Sequence, residues 1–141
     1  MPEQVADEIT RVTKLGAFVY SEIPFLQCVH EGAYDFTRYT LSGHRRLFSY
    51  FHDVDSGVVA GPGTVLAWSI DHLSQCLFRN RRISKAIRIF ARFCFLWVKY
   101  IDYLIMKHPK FGDGASATYF YGTRKTDKTP PSEIIERYAR K

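Results

Sequence analysis

Apolar residues recur along this chain with two different periods, and segments of the two kinds alternate. Spacings of four and three residues, as in Val5, Ile9 and Val12, are typical of a helix with one apolar stripe. Runs rich in β-branched and aromatic residues are typical of strands. The pattern predicts helices at Pro2–Lys14, Ser42–Phe51, Thr64–Phe78, Ile83–Met106 and from Ser132 onward, and strands at Ala17–Ile23, Asp53–Ala60 and Ala115–Lys125.

This order of elements predicts an α/β fold. The strand–helix–strand start favours a parallel pair with a right-handed crossover, and Ala17–Ile23 has the composition of a buried parallel strand. Thr64–Phe78 and Ile83–Met106 predict a helical hairpin, in which the wide apolar face of the longer helix is expected to be mostly buried. Ser42 is the expected N-cap of the short helix, and His44 is expected on that helix's surface.

The length of 141 residues predicts one domain. We assign residues 1–128 to an α/β domain with the hairpin, residues 64–106, inserted in it, and residues 129–141 to a linker and a short helix. A signal peptide and a membrane-spanning run are not expected. The three cysteines are scattered and form no CxxC pair, which favours reduced thiols and a cytoplasmic location: Cys28, Cys76 and Cys94.

The positive charge belongs to one part of the chain. The formal net charge is +6, and between Ser56 and Tyr100 the acid Asp71 is accompanied by seven basic residues, Arg79, Arg81, Arg82, Lys85, Arg88, Arg92 and Lys99. A basic element with interleaved aromatic residues suits an anionic membrane surface, nucleic acid or an acidic partner. We keep the membrane surface as an expectation and do not expect nucleic acid. An ordinary solvated helical pair remains an equal alternative.

Three segments resemble a known enzyme family. The run VADEITRVTKLGAFVYSEIPF, from Val5 to Phe25, is similar to the late helix and fifth strand of class I S-adenosylmethionine-dependent methyltransferases, which read xxEhxRVLKPGGhhhhxhP there. Leu15 stands in place of the family's Pro, Ala17 in place of its second Gly, and Thr13 also departs from the pattern. The matching positions are Glu8, Arg11, Val12, Lys14, Gly16, Val19 and Pro24.

The other two segments resemble a type 11-like subgroup of the same family. The first of them combines VHEGAYDFTRYT with the DSG…GPGT stretch that follows it, Asp55–Ser69, and the second is the closing strand motif at Ala115–Gly122. Together the segments cover nearly the whole chain. The resemblance implies the C-terminal part of a Rossmann-like sheet, with about three strands of which the last is antiparallel. It also implies methyl transfer, with S-adenosylmethionine as the cofactor.

The resemblance also implies a missing cofactor cradle. The family holds the cofactor on a Gly-rich loop after its first strand and on an acidic residue that ends its second strand. Here Gly61-Pro62-Gly63 follows a predicted strand, but it comes late, and we predict a turn and not a nucleotide loop. We therefore assign no cofactor-binding residue and expect no cofactor binding by this chain alone. The expected partner is a missing N-terminal half, or a second copy that covers the exposed sheet edge.

The loop after the first predicted strand is the candidate site, because strand ends carry the site in this fold. His30 beside Glu31 is suited to act as a base with a neighbouring carboxylate, and Arg38 to clamp an anionic substrate. Tyr34 and Phe36 are suited to wall an acceptor pocket. The candidate catalytic residues are His30 and Glu31, and the candidate substrate-binding residues are Glu22, Gln27, Tyr34, Asp35 and Arg38.

Alternatives remain open for the loop and for the chain. Asp35 and Arg38 are equally suited to pin the loop, with its aromatic residues in the core. The spacing of His30, Glu31 and His44 matches no zinc pattern, so no metal is expected. Whether the chain is an enzyme stays open, because it also fits a non-catalytic interaction protein or a peripheral membrane module that uses the basic aromatic hairpin.

Overall fold

The computed structural model describes residues 1–139, so the basic residues Arg140 and Lys141, expected at the end of the last helix, lie outside the described residues. Short 3₁₀ segments at Gly32–Tyr34, Leu96–Tyr100 and Pro109–Gly114 connect the larger elements. Those elements are α1 Pro2–Val12, β1 Phe18–Pro24, α2 Leu41–Leu47, β2 Phe51–Ala60, α3 Pro62–Cys76, α4 Arg81–Phe95, α5 Ile101–Ile105, β3 Ala117–Arg124 and α6 Pro131–Ala139. The α/β class is confirmed.

The three strands form one sheet in the order β1-β3-β2. β3 is antiparallel to both neighbours. Phe18 of β1 and His52 of β2 both lie opposite Thr123 of β3. β1 and β2 therefore run in the same direction but do not pair, so the predicted parallel pair is wrong. An antiparallel strand needs no crossover connection, which lets the last strand enter between the first two.

One face of the sheet carries the hydrophobic core. Ala6 of α1, Phe48 beside α2, Phe51 of β2 and Phe120 of β3 pack there and are almost fully buried. The rings of Phe48 and Phe120 stack with centroids 5.4 Å apart. α6 packs against α2 and buries Ile134. Helices α1, α2 and α6 thus pack on the same side of the sheet.

The opposite face of the sheet carries a row of aromatic rings. Phe18 stacks on Tyr121 with centroids 5.4 Å apart, and Tyr20 on Tyr119 with centroids 6.4 Å apart. Phe18 and Tyr20 remain 63% and 61% exposed. β1 is thus an antiparallel edge strand with an exposed aromatic face, and the expectation of a buried parallel strand is wrong.

Several predicted boundaries shift. The side chain of Thr40 accepts a hydrogen bond from the Gly43 backbone N–H at 3.1 Å, so Thr40 and not Ser42 is the N-cap of α2. α2 ends at Leu47, and β2 begins at Phe51 because the turn between them is short. α6 begins at Pro131, one residue before the predicted start, since proline suits the first position of a helix.

The hairpin differs from its prediction in two ways. The helix predicted over 83–106 is divided into α4, the 3₁₀ segment Leu96–Tyr100 and α5. The division places the Val98 carbonyl and Asp102 against the start of α3. Phe90 and Phe93 of α4 are 68% and 88% exposed, so the expectation of a mostly buried apolar face is wrong. None of the helices within residues 1–139 is both long enough and apolar enough to cross a bilayer.

Candidate functional site

The candidate site is the loop of residues 25–40, which leaves the carboxyl end of β1. Pro24 ends the strand, and the backbone N–H groups of Phe25 and Gln27 both donate to the Ser116 carbonyl, at 2.8 and 3.2 Å. The chain then forms a short 3₁₀ turn at Gly32–Tyr34 before α2 begins. The base of the loop is therefore fixed to the segment that enters β3.

A salt bridge between Asp35 and Arg38 organises the loop. Arg38 Nε donates to Asp35 Oδ1 at 2.8 Å, and the guanidinium contacts Asp35 Oδ2 as well. The same guanidinium donates to the carbonyls of Gln27 and Cys28, and the His30 backbone N–H donates to Asp35 at 3.0 Å. The Arg38 guanidinium and the His30 N–H lower the pKa of Asp35. Asp35 and Arg38 thus hold the loop in place, which agrees with the alternative that these two residues are structural.

His30 and Glu31 form a contact at the tip of this loop. Nδ1 of His30 lies 3.1 Å from Glu31 Oε1. Their side chains are 61% and 72% exposed, so the unengaged Nε2 edge of the imidazole is open to an incoming group. An imidazole and a carboxylate thus lie side by side at the surface, and Asp35 fixes the backbone of His30 through its N–H group.

The other candidate residues lie in different surroundings. Tyr34 and Phe36 meet edge to face, with centroids 6.4 Å apart, and are 80% and 82% exposed. The alternative that these rings belong to the core is therefore wrong. Gln27 is half-buried and serves the loop through its carbonyl. Glu22 lies on the aromatic face of the sheet, where it accepts a hydrogen bond from the Tyr20 hydroxyl.

Asp102 is a buried charged residue that the sequence did not single out. Its carboxylate accepts hydrogen bonds from the backbone N–H groups of Gly61, Gly63 and Thr64, at 3.1, 2.7 and 3.0 Å, and from the Thr64 hydroxyl at 2.7 Å. A helix N-terminus favours an anion, and here the anion is the chain's own carboxylate. The Gly-Pro-Gly signal was visible in the sequence, but its partner lies about 40 residues away.

The two glycines make this close approach possible. A Cβ on Gly63 would lie 2.6 Å from the Val98 carbonyl oxygen, and a Cβ on Gly61 would lie 2.2 Å from the Phe111 ring. Pro62 occupies the first turn of α3, where no intrahelical donor is needed. Asp102 uses the N–H groups of this helix start, and α3 begins at Pro62, two residues before its predicted start at Thr64.

His44 is buried, so the expectation that it lies on the surface is wrong. Nδ1 lies 3.0 Å from the Thr118 hydroxyl, and Nε2 lies 3.2 Å from the Ser21 hydroxyl. Burial lowers the pKa of His44 to about 4, although the charge of Asp53 opposes the shift. The spacing of Leu41, His44 and Phe48, three and four residues apart, is the signal that places His44 on the inner face of α2.

Within residues 1–139, no group of three or more His, Cys, Asp or Glu side chains is arranged to hold a metal ion. No protein-family model, curated protein or solved structure gives a significant match to this chain.

Proposed function

We propose that this chain is the C-terminal part of a class I S-adenosylmethionine-dependent methyltransferase. In the working enzyme, a nucleotide-binding half pairs with the free edge of β1 and supplies the cofactor cradle. The observation that carries the proposal is this edge, together with the exposed aromatic face on which Phe18 and Tyr20 are more than half exposed. An unpaired strand edge and an exposed apolar face of a sheet call for a partner.

The topology supports the proposal at the level of the sheet. A doubly wound sheet has helices on both faces, whereas α1, α2 and α6 here serve one face. The last strand is antiparallel, as the resemblance implies. A second half that extends the sheet from β1 would bring its own helices to the aromatic face.

The loop of residues 25–40 supports the proposal at the level of chemistry. In methyl transfer, a lone pair of the acceptor attacks the methyl carbon while the carbon–sulfur bond breaks, so the protein supplies alignment and a base. We assign the base to His30, with Glu31 stabilising the protonated imidazole. Arg38 and Asp35 hold the loop, and Tyr34 and Phe36 offer exposed rings for the acceptor. Gln27 holds the loop through its carbonyl, and Glu22 lies near the end of β1 on the aromatic face of the sheet.

The test is binding of S-adenosylmethionine measured by titration calorimetry. The 141-residue chain is compared with a longer polypeptide that includes the in-frame coding sequence before Met1. We expect no binding heat for the 141-residue chain and one cofactor per molecule for the longer polypeptide. Tight binding by the short chain contradicts the division into halves, and no binding by either polypeptide contradicts the methyltransferase assignment and favours a non-catalytic interaction protein.

In the longer polypeptide, the base is tested separately. His30→Gln is expected to reduce the rate of methyl transfer about 100-fold at unchanged cofactor affinity, since general-base catalysis contributes about that much or more. His52→Gln is the matched control, because His52 is an exposed histidine of β2, a strand that β3 separates from β1.

A further inference from the structure

The outer face of α4 and of the 3₁₀ segment after it is an exposed apolar surface. Phe93 is 88% exposed, Phe90 68%, Ile89 61% and Trp97 59%. The inner face of α4 carries Ala91, which is buried. Ile89 and Phe90 lie four and three residues before Phe93, so these three side chains share one side of α4, and Trp97 follows in the 3₁₀ segment. We call this set, with Ile83 and Leu96, the outer face.

A row of basic residues borders the outer face. Arg81, Lys85, Arg88 and Arg92 are four, three and four residues apart and form one stripe, the basic row. Arg88 and Arg92 turn toward α3, where they pair with Asp71 at 3.1 and 2.7 Å. Burial raises the pKa of Asp71, but the hydrogen bonds from these two arginines outweigh it and lower the pKa.

The other charges are free to meet an outside partner. In the part of the chain that the structure describes, Arg81 and Lys85 form no ion pair, nor do Arg79 and Arg82 near the hairpin tip. The sequence of α4, RRISKAIRIFARFCF, contains no acidic residue. The hairpin therefore presents uncompensated positive charge next to exposed phenylalanine and tryptophan side chains.

We propose that the outer face of α4 binds an anionic phospholipid membrane surface. A helix with one apolar face, aromatic residues on it and basic residues beside it lies in the plane of the interface, with the apolar side chains among the acyl chains. The Lys and Arg heads reach the anionic headgroups while their stems cover apolar surface. Trp97 has the amphipathic ring that favours this boundary.

Charge favours a membrane over a second copy of this chain. Two outer faces brought together would also bring two basic rows together, with no acidic residue of α4 between them. Like charges in contact oppose association. Nucleic acid is disfavoured because the centre of this surface is apolar and the charges lie at its border. An anionic bilayer complements both the border and the centre.

The experiment is flotation of the 141-residue chain with phosphatidylcholine vesicles, with and without phosphatidylserine. We expect the chain to float only with the anionic vesicles and to be released by high salt. In a Trp68→Phe background, the emission of Trp97 is expected to shift to shorter wavelength on binding. Flotation that is equal with neutral vesicles, or an unchanged Trp97 emission on bound protein, overturns the proposal.

Variants separate the two contributions. Phe90→Ser with Phe93→Ser removes the centre of the outer face, and Arg81→Gln with Lys85→Gln and Arg82→Gln removes three of the four unpaired charges. Each set is expected to weaken anionic vesicle binding about 100-fold, since each of the three charges contributes about fivefold and each of the two buried rings about tenfold. Phe36→Ser, at another highly exposed phenylalanine, is the matched control and is expected to bind unchanged.

A second copy is the competing occupant. If the Phe90→Ser, Phe93→Ser variant dissociates a dimer in sedimentation and the original chain does not bind vesicles, the outer face joins copies of the chain and the membrane proposal is wrong. The membrane proposal goes beyond the proposed methyl transfer and does not depend on it. Failure of vesicle binding leaves the cofactor titration as an independent result.

Discussion

At the scale of single residues, His44 is the group whose protonation most depends on the fold. Its ring packs beside those of Phe48 and Phe120, at centroid distances of 5.7 and 5.9 Å. Both ring nitrogens face hydroxyl groups, which are able to donate or accept, so a neutral imidazole is fully satisfied. A charged ring there would lose its hydration, and this is why burial lowers the pKa of His44 to about 4.

This predicts that the chain loses stability in mild acid. The unfolded chain takes up a proton on His44 near its ordinary pKa of 6.5, whereas the folded chain stays neutral until about 4. The stabilising effect of a neutral His44 is therefore fully present above pH 6.5. Between pH 6.5 and about 4, the free energy of unfolding falls by about 1.4 kcal/mol per pH unit. Urea unfolding at a series of pH values between about 4 and 7 measures the slope.

The substitution His44→Gln is expected to remove this part of the slope, because glutamine carries no titrating group. It also lowers the free energy of unfolding by about 1–3 kcal/mol at neutral pH, since the hydrogen bonds of the His44 ring with the Thr118 and Ser21 hydroxyls are lost. The exposed His52 serves as the control, and His52→Gln should keep the slope of the original chain. An identical slope for the original chain and His44→Gln would show that another group carries the pH dependence.

At the scale of elements, the start of α3 and the segment around α5 are held together by one carboxylate. Four hydrogen bonds reach Asp102 from residues 61–64. They join α5 to the end of β2 and the first turn of α3, which lie about 40 residues earlier in the chain. The hairpin is thereby attached to the sheet through a charge-assisted cluster and not only through apolar packing.

Substitutions in this cluster should rank in a defined order. Asp102→Asn places an amide donor against backbone donors, and we expect a loss of about 2–4 kcal/mol in unfolding free energy. Thr64→Val removes one hydroxyl donor and should cost about 1 kcal/mol. Asp127→Asn, at an exposed loop position, should be neutral. Urea unfolding measures all three, and an Asp102→Asn chain as stable as the original would contradict the role of the cluster.

At the scale of the whole molecule, helices cover one face of the sheet, and the other face exposes aromatic side chains to solvent. The core lies between the sheet and α1, α2 and α6, while β1 presents a free edge and aromatic side chains beside it. In the proposed enzyme, a second half covers both. Without that half, the same edge is a template for another copy of the chain.

The isolated chain is therefore expected to self-associate through β1 as its concentration rises. A lysine on an edge strand opposes such pairing, so Tyr20→Lys should weaken association about tenfold or more. Phe36→Lys changes an exposed ring in the loop and should leave association unchanged. Phe90→Ser with Phe93→Ser should also leave it unchanged, which separates the edge from α4. Sedimentation velocity over a concentration series is the measurement, and a monomer at every concentration would contradict the expectation.

The candidate site was predictable in part, because some of its contacts are local. The irregular loop after the first strand follows from Pro24 and from the lack of a clean period, and Arg38 reaches Asp35 only three residues away. The exposure of Tyr34 and Phe36 was not predictable. An aromatic ring in a loop becomes buried only if a distant element packs on it, and the order of residues within the loop carries no such information.

The sequence by itself determined the kinds of elements and their order, because period and capping residues act within a few positions along the chain. Pro2 opens α1, and Pro62 and Gly61 open α3, whatever lies elsewhere. Only the tertiary structure decided that β3 enters between β1 and β2 and that Asp102 meets the start of α3. These contacts join groups far apart in sequence, so they follow from packing and hydrogen-bond satisfaction across the whole molecule and not from any local pattern.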